Sequence, residues 1–386
     1  MTNYSKGHGK ILSNLFTNRE FILHCLTKVE TFQTASIEMQ WVFQALEYYE
    51  NMKDKFAQRD PIGTVYVSSP QNLPLYSFLI YVFGPALVGN KIVLRLSSKT
   101  ANITKEIIKK CALDDLIDLE ISELGAAEFI EEASIKADCL IFTGSYTNSV
   151  NITRKLNSNV KYIYNGSGNC SFVIGSDANI QLAVGHLMRS KFFNSGQDCM
   201  ATERLYVHKN IYSDVINEVI KKFNELKIGR NIDVDTDIGE ILSFKNLSDI
   251  DRIIDEGKGI VNVIQRGGFS GAYYVPCLLE CLPDSPIVQQ EKYGPILPVI
   301  TYNNNNELLE FLSNDEYGLG ITLFGFNNTK FINKLNYGQI VLNNNIYEFE
   351  SIARPFGGFK RSGFVMQNGK IFSGPIYLPY ETSVLV

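Results

Sequence analysis

Residues 62–96 read IGTVYVSSPQNLPLYSFLIYVFGPALVGNKIVLRL. Ile62 to Ser68 is a short apolar run ended by Ser69-Pro70, which predicts a strand. Leu75 to Val88 follows as a helix, and Lys91 to Leu96 as a second apolar strand. Strand, helix and strand in succession form the repeating unit of a doubly wound, mostly parallel sheet. The alternation continues outward. Ile103 to Lys110 and Ala126 to Ala133 are predicted helices, and Leu116 to Ile121 and Ala137 to Thr143 are strands. The first 55 residues read as helical, with Phe43, Leu46, Tyr48 and Tyr49 on an apolar face. In the second half, Gln181 to Lys191 is a helix, Ala201 to His208 a strand and Ile211 to Leu226 a long helix. Further βα units run to about residue 345. The fold class is therefore α/β.

The bulk properties narrow the function. The chain has 386 residues, enough for two domains, and is 45% apolar and 20% charged, an ordinary globular balance. A net charge of −5 does not favour a nucleic-acid surface. The start, Met1 to Lys6, lacks the apolar core of a signal peptide. The most apolar run, Leu73 to Val88, is broken by Pro74, Gly84 and Pro85 and reads as a buried helix, so no membrane span is expected. Seven scattered cysteines without a close C-x-x-C pair, and four histidines without ligand spacing, predict reduced thiols, no metal site and a cytoplasmic setting.

One cysteine stands apart. Phe192-Phe193-Asn194-Ser195-Gly196-Gln197-Asp198-Cys199 places a thiol after a Gly-Gln turn and just before a strand. A thiolate is a strong nucleophile, yet a free thiol with a pKa of about 8.5 is mostly protonated at neutral pH. A loop presenting backbone N–H groups favours the anion.

The octapeptide resembles the F-x-N-x-G-Q-x-C nucleophile loop of the aldehyde dehydrogenase superfamily. Other segments resemble that family in the same order, over residues about 61 to 363. Pro70-Gln71-Asn72-Leu73-Pro74 resembles P-W-N-x-P, and Phe142-Thr143-Gly144-Ser145 resembles F-T-G-S. Glu291-Lys292-Tyr293-Gly294-Pro295 resembles E-x-F-G-P, and Pro355 to Gly363 resembles P-F-G-G-x-K-x-S-G. The resemblance implies a Rossmann-type cofactor domain over 1–166, an α/β catalytic domain over 167–365 and a tail strand over 366–386. It makes Cys199 the nucleophile and Asn72 the side-chain donor of an oxyanion hole. It places Ser69, Arg95, Ser98, Gly144, Ser145, Glu291 and Tyr293 at the cofactor, with Glu291 on the nicotinamide ribose. Gln71, Phe193 and Phe356 would line the substrate channel, with Gln71 standing where the motif has Trp.

The departures from the family pattern are the more specific signal. The family's general-base glutamate lies 34 residues before the cysteine, where this chain has Asn165. Ser176-Asp177-Ala178 matches the family's S-D-A and fixes that alignment. An amide cannot take a proton from water, so hydrolysis of a thioacyl enzyme loses its base. Gly166-Ser167-Gly168-Asn169 resembles the G-x-G-N segment of CoA-acylating relatives instead. In the adenosine-binding segment, Arg95-Leu96-Ser97-Ser98-Lys99 replaces an acidic residue by Ser98 and adds positive charge. NADP is therefore expected ahead of NAD. Ser149 takes the place of the second glycine of G-x-x-x-x-G. The family's N-terminal strand hairpin is absent, and the apolar tail Tyr380 to Val386 reads as a strand that would make a sticky edge if left exposed, so a homodimer is expected rather than the usual tetramer seam.

The resulting expectation is an enzyme interconverting an aldehyde and an activated acyl group through a thioester on Cys199. The acyl partner is CoA, a carrier-protein thioester or an acyl phosphate. Two alternatives stand beside it: a hydrolytic dehydrogenase giving a carboxylate, and a binding protein that keeps the fold without catalysis.

Overall fold

The computed structural model describes residues 4–385 and divides them into two compact units. Among these residues, the first comprises those up to Gly166, Glu350–Gly357 and those from Gly363 on; the second comprises Ser167–Phe349 and Gly358–Ser362. The family resemblance implies a catalytic domain running to 365 and a separate tail. The return of 363–386 to the first unit has a physical cause: Gly363–Gln367 pairs antiparallel with Lys161–Gly166.

The first unit is built on a seven-stranded sheet. Its parallel part runs Lys161–Gly166, Cys139–Gly144, Thr64–Ser68, Lys91–Arg95, Leu119–Ile121 in spatial order. The antiparallel strands Gly363–Gln367 and Lys370–Phe372 extend it at the Lys161–Gly166 side. Tyr66, Phe129, Tyr162, Tyr164 and Phe364 are buried together in one core cluster of this unit. The helix Ala101–Cys111 buries Ile103, Ile107, Ile108 and Cys111, the spacing of a single helical stripe. The predicted strand from Leu116 is shorter than expected, because only Leu119 to Ile121 pair with Ile92 to Leu94. A 3-10 turn occupies Asp114–Leu116.

The apolar run after Asn72 is helical, but its middle is wider than an α-helix. Pro74–Phe78 is α-helical, Leu79–Phe83 forms a π turn, and Gly84–Leu87 is α-helical again. Pro85 explains the expansion. It has no N–H to donate, and its ring collides with a carbonyl four residues back in a regular helix. An i→i+5 bond from Gly84 N–H to the Leu79 carbonyl absorbs the mismatch. That carbonyl also accepts the Tyr49 hydroxyl at 2.9 Å. Gly84 itself is required, since a Cβ there would lie 2.6 Å from the same hydroxyl.

The N-terminal helical region is three helices, Tyr4–Thr17, Arg19–Leu26 and Phe32–Phe56, the last capped by Thr31 accepting the Thr34 N–H. The tail differs from its expected form. Leu378–Glu381 is a helical turn, and Ser383–Leu385 pairs antiparallel with Arg59–Pro61 of the same chain. Asn90 Nδ2 fixes this tail by donating to the Thr382 carbonyl at 2.8 Å. The strand-like tail is thus paired within the chain, though Val384 and Leu385 remain exposed. Val386 lies outside the described residues.

The second unit carries its own seven-stranded sheet, in the order Gln339–Leu342, Gly320–Phe324, Cys170–Ile174, Thr202–His208, Ile296–Tyr302, Cys277–Cys281, Ile260–Gln265. All neighbours are parallel except the last pair. The helix Tyr212–Glu225 buries Val215, Ile216, Val219 and Phe223 in one of its cores. Among the described residues no helix is long and apolar enough to cross a membrane. No group of three or more His, Cys, Asp or Glu among them is arranged to hold a metal ion.

Candidate active site

In the first unit the parallel strands end together, and the sequence-predicted residues collect at those ends. Ser69 follows the strand Thr64–Ser68, Arg95 ends its neighbour, Gly144 and Ser145 close the next, and Asn165 sits near the end of the fourth. Carboxyl ends of parallel strands are where open α/β sheets bind ligands. Local bonds shape this rim. Ser69 N–H donates to the Arg95 carbonyl at 3.0 Å, and the Thr143 hydroxyl donates to the Ser68 carbonyl at 3.0 Å. Gly144 adopts φ +154°, and a Cβ there would meet the Phe142 ring at 2.8 Å. Ser145 then caps the helix Tyr146–Thr153, its hydroxyl accepting the Asn148 N–H. Ser149, where the family has glycine, is buried, and its hydroxyl is 3.0 Å from that of Tyr162.

Two polar atoms on this rim are orphaned. Arg95 Nε is buried without a hydrogen-bond partner among the described residues, while Ser98 and Lys99 beyond it are exposed. A buried guanidinium donor at the rim, with no carboxylate at 98, fits the phosphate-bearing form of a nicotinamide dinucleotide. Asn165 is also buried, and its Nδ2 has no hydrogen-bond partner among the described residues. Its Oδ1 lies where a side chain at Gly357 would be, 2.8 Å from that Cβ position, so Gly357 of the C-terminal motif and Asn165 pack together. Phe356, beside it, is half-buried and pairs through its backbone with Ile376.

Gln71 and Asn72 are half-buried, ahead of Leu73, which takes a left-handed φ of +46°. Leu73 supplies no side-chain cap to the following helix. The cap comes from Glu38, a residue sequence reasoning did not single out. Its Oε1 accepts the N–H of Leu75 and of Tyr76, each at 2.8 Å. Burial pushes the Glu38 carboxyl up in pKa, against hydrogen bonds from Glu30, Tyr76 and Leu75 that favour the anion. Glu38→Ala would leave two buried N–H groups unmet, at roughly 1–3 kcal/mol each. Thermal unfolding of Glu38→Ala is expected at lower temperature, with Glu38→Gln, which keeps an acceptor oxygen, close to the parent.

The second unit presents the start of its sheet. Asn194, Ser195 and Gly196 take positive φ values of 47°, 60° and 77° in succession. Such a run is strained for the first two residues and persists only where the surroundings fix it. Here they do. Ser195 Oγ accepts the Gly239 N–H at 2.9 Å. Gln197 donates to the Glu240 carbonyl at 3.0 Å and accepts the Leu242 N–H at 2.7 Å. Gly196 is required by approach as well as by φ, since a Cβ would lie 2.7 Å from the Gly294 carbonyl. These bonds give the N-x-G-Q pattern its physical content. They deliver Cys199, half-buried, just before the strand Thr202–His208.

Around it lie marked residues together with two the sequence did not mark, Tyr347 and Glu203. Tyr347 stacks on Phe193 at a ring separation of 4.0 Å and donates its hydroxyl to Asp198 Oδ1 at 2.8 Å. Gly168 packs so closely that a Cβ would fall on the Cys199 carbonyl. Gly168 N–H in turn donates to Glu291 Oε1 at 2.9 Å. Glu291 is thereby held one residue away from the Cys199 backbone. Burial and then the negative charge of Glu203 push its carboxyl up to about 8. Tyr293, at φ +53°, donates its N–H to Glu203 Oε1 at 3.0 Å. Lys292 forms a fully buried ion pair with Glu203 at 3.2 Å. Asp198 and Tyr347 carried only the signal of a polar residue flanking the cysteine and an aromatic after an Asn-rich loop.

The C-terminal motif serves the second unit through Gly358 to Ser362. A Cβ at Gly358 would lie 2.6 Å from the Gly318 carbonyl, and Ser362 Oγ accepts the Gly318 N–H at 3.1 Å.

A sheet rim carrying dinucleotide-type donors and a strained loop carrying one thiol are the features of a covalent oxidoreductase of aldehydes. The aldehyde dehydrogenase family model matches residues 9–373, and the chain belongs to that family. A lactaldehyde dehydrogenase of Methanococcus aeolicus is 32% identical over 318 residues, covering 79% of this chain and 68% of the relative. A D-glyceraldehyde dehydrogenase (NADP(+)) of Picrophilus torridus is 28% identical, over 83% of this chain and 66% of the relative. Among solved structures, glyceraldehyde-3-phosphate dehydrogenase GapN of Methanocaldococcus jannaschii complexed with NADP superposes with a TM-score of 0.83 at 23% identity, covering 98% of this chain and 88% of that one. At that identity the likeness concerns the fold.

Proposed function

We propose that this aldehyde dehydrogenase uses NADP(H), and accepts NAD(H), to interconvert an aldehyde and an acyl thioester held on Cys199. The first unit serves as the cofactor domain and the second as the catalytic domain. The observation that carries the acyl-transfer reading is Asn165, a buried carboxamide where the family keeps its general base.

The steps follow from side chains of this chain. Cys199 attacks the aldehyde carbon, and the oxyanion is met by the Cys199 N–H and the Asn72 amide. A bound nicotinamide would supply the hydride acceptor, with Arg95, Ser69 and Ser145 on the dinucleotide and Glu291 on the ribose. Position 165 supplies no carboxylate to activate water against the thioester then left on Cys199. Asn165 Nδ2 is a donor, suited to hold the acyl oxygen rather than to deprotonate water. Release therefore falls to a thiol, which as thiolate needs no base at the moment of attack. CoA and a carrier-protein thiol share this chemistry. Run backwards, the same steps reduce an acyl thioester, and an acyl phosphate is an alternative donor. Phe193, Phe356 and Gln71 would shape the acyl channel.

A second reading is favoured by the names of the relatives, which include dehydrogenases of lactaldehyde, glyceraldehyde and 3-sulfolactaldehyde. Under it, a 2-hydroxyaldehyde is oxidised to a carboxylate through a water positioned without Glu. One experiment separates the two: nicotinamide reduction with an aldehyde panel including lactaldehyde and glyceraldehyde, with and without CoA, and product analysis. Acyl-CoA formed only with CoA supports the acyl-transfer reading. Repeated turnover to carboxylate without thiol replaces it by the second. Absence of both products, and of thioester reduction with NADPH, leaves the non-catalytic alternative.

Two predictions concern the cofactor. Arg95→Gln is expected to lower the preference for NADP over NAD about 10- to 100-fold, the worth of one charge-assisted contact to phosphate. Steady-state kinetics with both dinucleotides measures it. Glu291 gives a pH dependence. Below about 8 its carboxyl is held as the acid, and above it as the anion. A ribose diol donates two hydrogens, which the anion accepts better than the acid does. Binding thus favours loss of the proton, so NADPH affinity rises as pH rises towards 8 and levels off beyond. Fluorescence titration between about pH 6 and 10, roughly two units either side of the midpoint, tests this, and Glu291→Gln is expected to give a flat profile.

A further inference from the structure

A second thiol lies against the loop that carries Cys199. Cys170 Sγ donates to the Cys199 carbonyl oxygen at 3.4 Å. The two are 29 residues apart in sequence and meet because Cys170–Ile174 and Thr202–His208 are adjacent parallel strands, with Cys170 opposite Thr202. Gly320 leaves room for the sulfur: a Cβ at 320 would already be 3.2 Å from Cys170 Sγ. The remaining five cysteines are buried, and no disulfide is present among the described residues. The aldehyde chemistry proposed above has no use for Cys170.

We propose that Cys170 is a resolving thiol for Cys199: under peroxide the two form an intramolecular disulfide that switches the enzyme off and spares Cys199 from irreversible oxidation. The inference rests on the reading of Cys199 as the reactive thiol.

The electron balance closes with a hydroperoxide as the oxidant. The Cys199 thiolate attacks one peroxide oxygen, the S–O bond forms, the O–O bond breaks, and hydroxide (or alkoxide) leaves and takes a proton. Cys170 sulfur then attacks the sulfenic sulfur of Cys199. The S–S bond forms, the S–O bond breaks, and the departing oxygen leaves as water with the Cys170 proton. Two thiols lose two electrons and one peroxide gains them. The division of labour matches the surroundings. Cys199 is half-buried and reachable by peroxide. Cys170 is buried, and burial first, then Glu203, hold its thiol well above the usual range, so it does not compete for the oxidant. A short dithiol reverses the reaction by exchange.

The test uses the full chain treated with hydrogen peroxide, followed by mass spectrometry of the intact protein and of non-reduced peptides. The expected result is loss of two hydrogens, a peptide linking Cys170 to Cys199, and activity that falls at least tenfold and returns with dithiothreitol. In Cys170→Ser and Cys170→Ala, each compared with its own untreated activity, Cys199 is expected to gain two or three oxygens and activity not to return. A wild type in which Cys199 reaches the sulfinic state without the crosslink overturns the proposal. So does dithiothreitol recovery in the Cys170 variants equal to the wild type. Failure of the underlying reading looks different: limited iodoacetamide would then label another cysteine ahead of Cys199 in the untreated protein.

Discussion

Replacing Cys199 by alanine is expected to lower turnover with any aldehyde or acyl thioester by on the order of 10⁴-fold or more, because the covalent step has no other nucleophile to carry it. The loop around it should persist. Its form is held by Ser195 on Gly239, Gln197 on Glu240 and Leu242, and Gly196 against Gly294, none of which involves the thiol. The variant is therefore expected to bind NADPH like the parent and to unfold within about 1–2 °C of it, since a half-buried side chain loses little packing. Rapid-mix absorbance at the nicotinamide band measures the first quantity and calorimetry the second. Unchanged turnover would remove Cys199 from the mechanism. Lost turnover together with lost cofactor binding would point to a misfolded loop rather than to missing chemistry. Cys199→Ser is a useful companion. Its alcohol is a far weaker nucleophile at neutral pH and keeps the volume, so it separates nucleophilicity from packing.

The largest stability effect is expected at Asp315. Arg204 lies fully buried in the second unit, on the strand Thr202–His208. Its Nε donates to Ser171 Oγ at 2.9 Å, one terminal nitrogen donates to the Val288 carbonyl at 3.4 Å, and the other pairs with Asp315 Oδ2. The Tyr337 hydroxyl donates to the same carboxylate oxygen at 3.1 Å, and Asp315 Oδ1 accepts the Tyr317 N–H at 3.0 Å. Asp315→Ala leaves a guanidinium buried without its counter-charge. Breaking a buried pair in this way costs about 3–5 kcal/mol. At about 2–4 °C per kcal/mol for a domain of this size, the melting temperature should drop by roughly 6–20 °C. Replacing both partners, as Arg204→Met with Asp315→Leu, removes the stranded charge and is expected to lose much less. Calorimetry of the two variants decides it. A double variant as unstable as the single one would mean that the network is needed for shape, not only for charge balance.

The same network illustrates where sequence reading ends. The βα alternation was legible because burial on two faces leaves apolar runs such as Tyr66-Val67 and Ile92-Val93-Leu94, whose period is local. The nucleophile loop was legible through its resemblance to F-x-N-x-G-Q-x-C, whereas the three positive φ values in a row at Asn194, Ser195 and Gly196 came only with the structure. Asn165 could be aligned because its distance from Cys199 is a property of the chain alone. Glu38 was not legible. Its neighbours in helix Phe32–Phe56 are ordinary, and only folding brings its carboxylate to the N–H groups of Leu75 and Tyr76. Cys170 likewise reads as one buried cysteine among several until the parallel pairing of two strands sets it against the Cys199 carbonyl. The π turn at Leu79–Phe83 was not legible either: the run Leu75 to Val88 reads as one helix, and only the structure shows the widened turn and the Tyr49 hydroxyl on the Leu79 carbonyl.

By itself the sequence pointed to the family, the α/β class, a candidate nucleophile and an asparagine at the position where the family's general base is expected. Each of these is a matter of which residue stands at which spacing along one chain. The tertiary structure alone decided what surrounds them: the orphaned Nε of Arg95, the raised carboxyl of Glu291, the thiol of Cys170 beneath Cys199, and the tail folded back on Arg59–Pro61. Desolvation, charge proximity and hydrogen-bond satisfaction are set by neighbours distant in sequence, and those neighbours exist only once the sheets have paired.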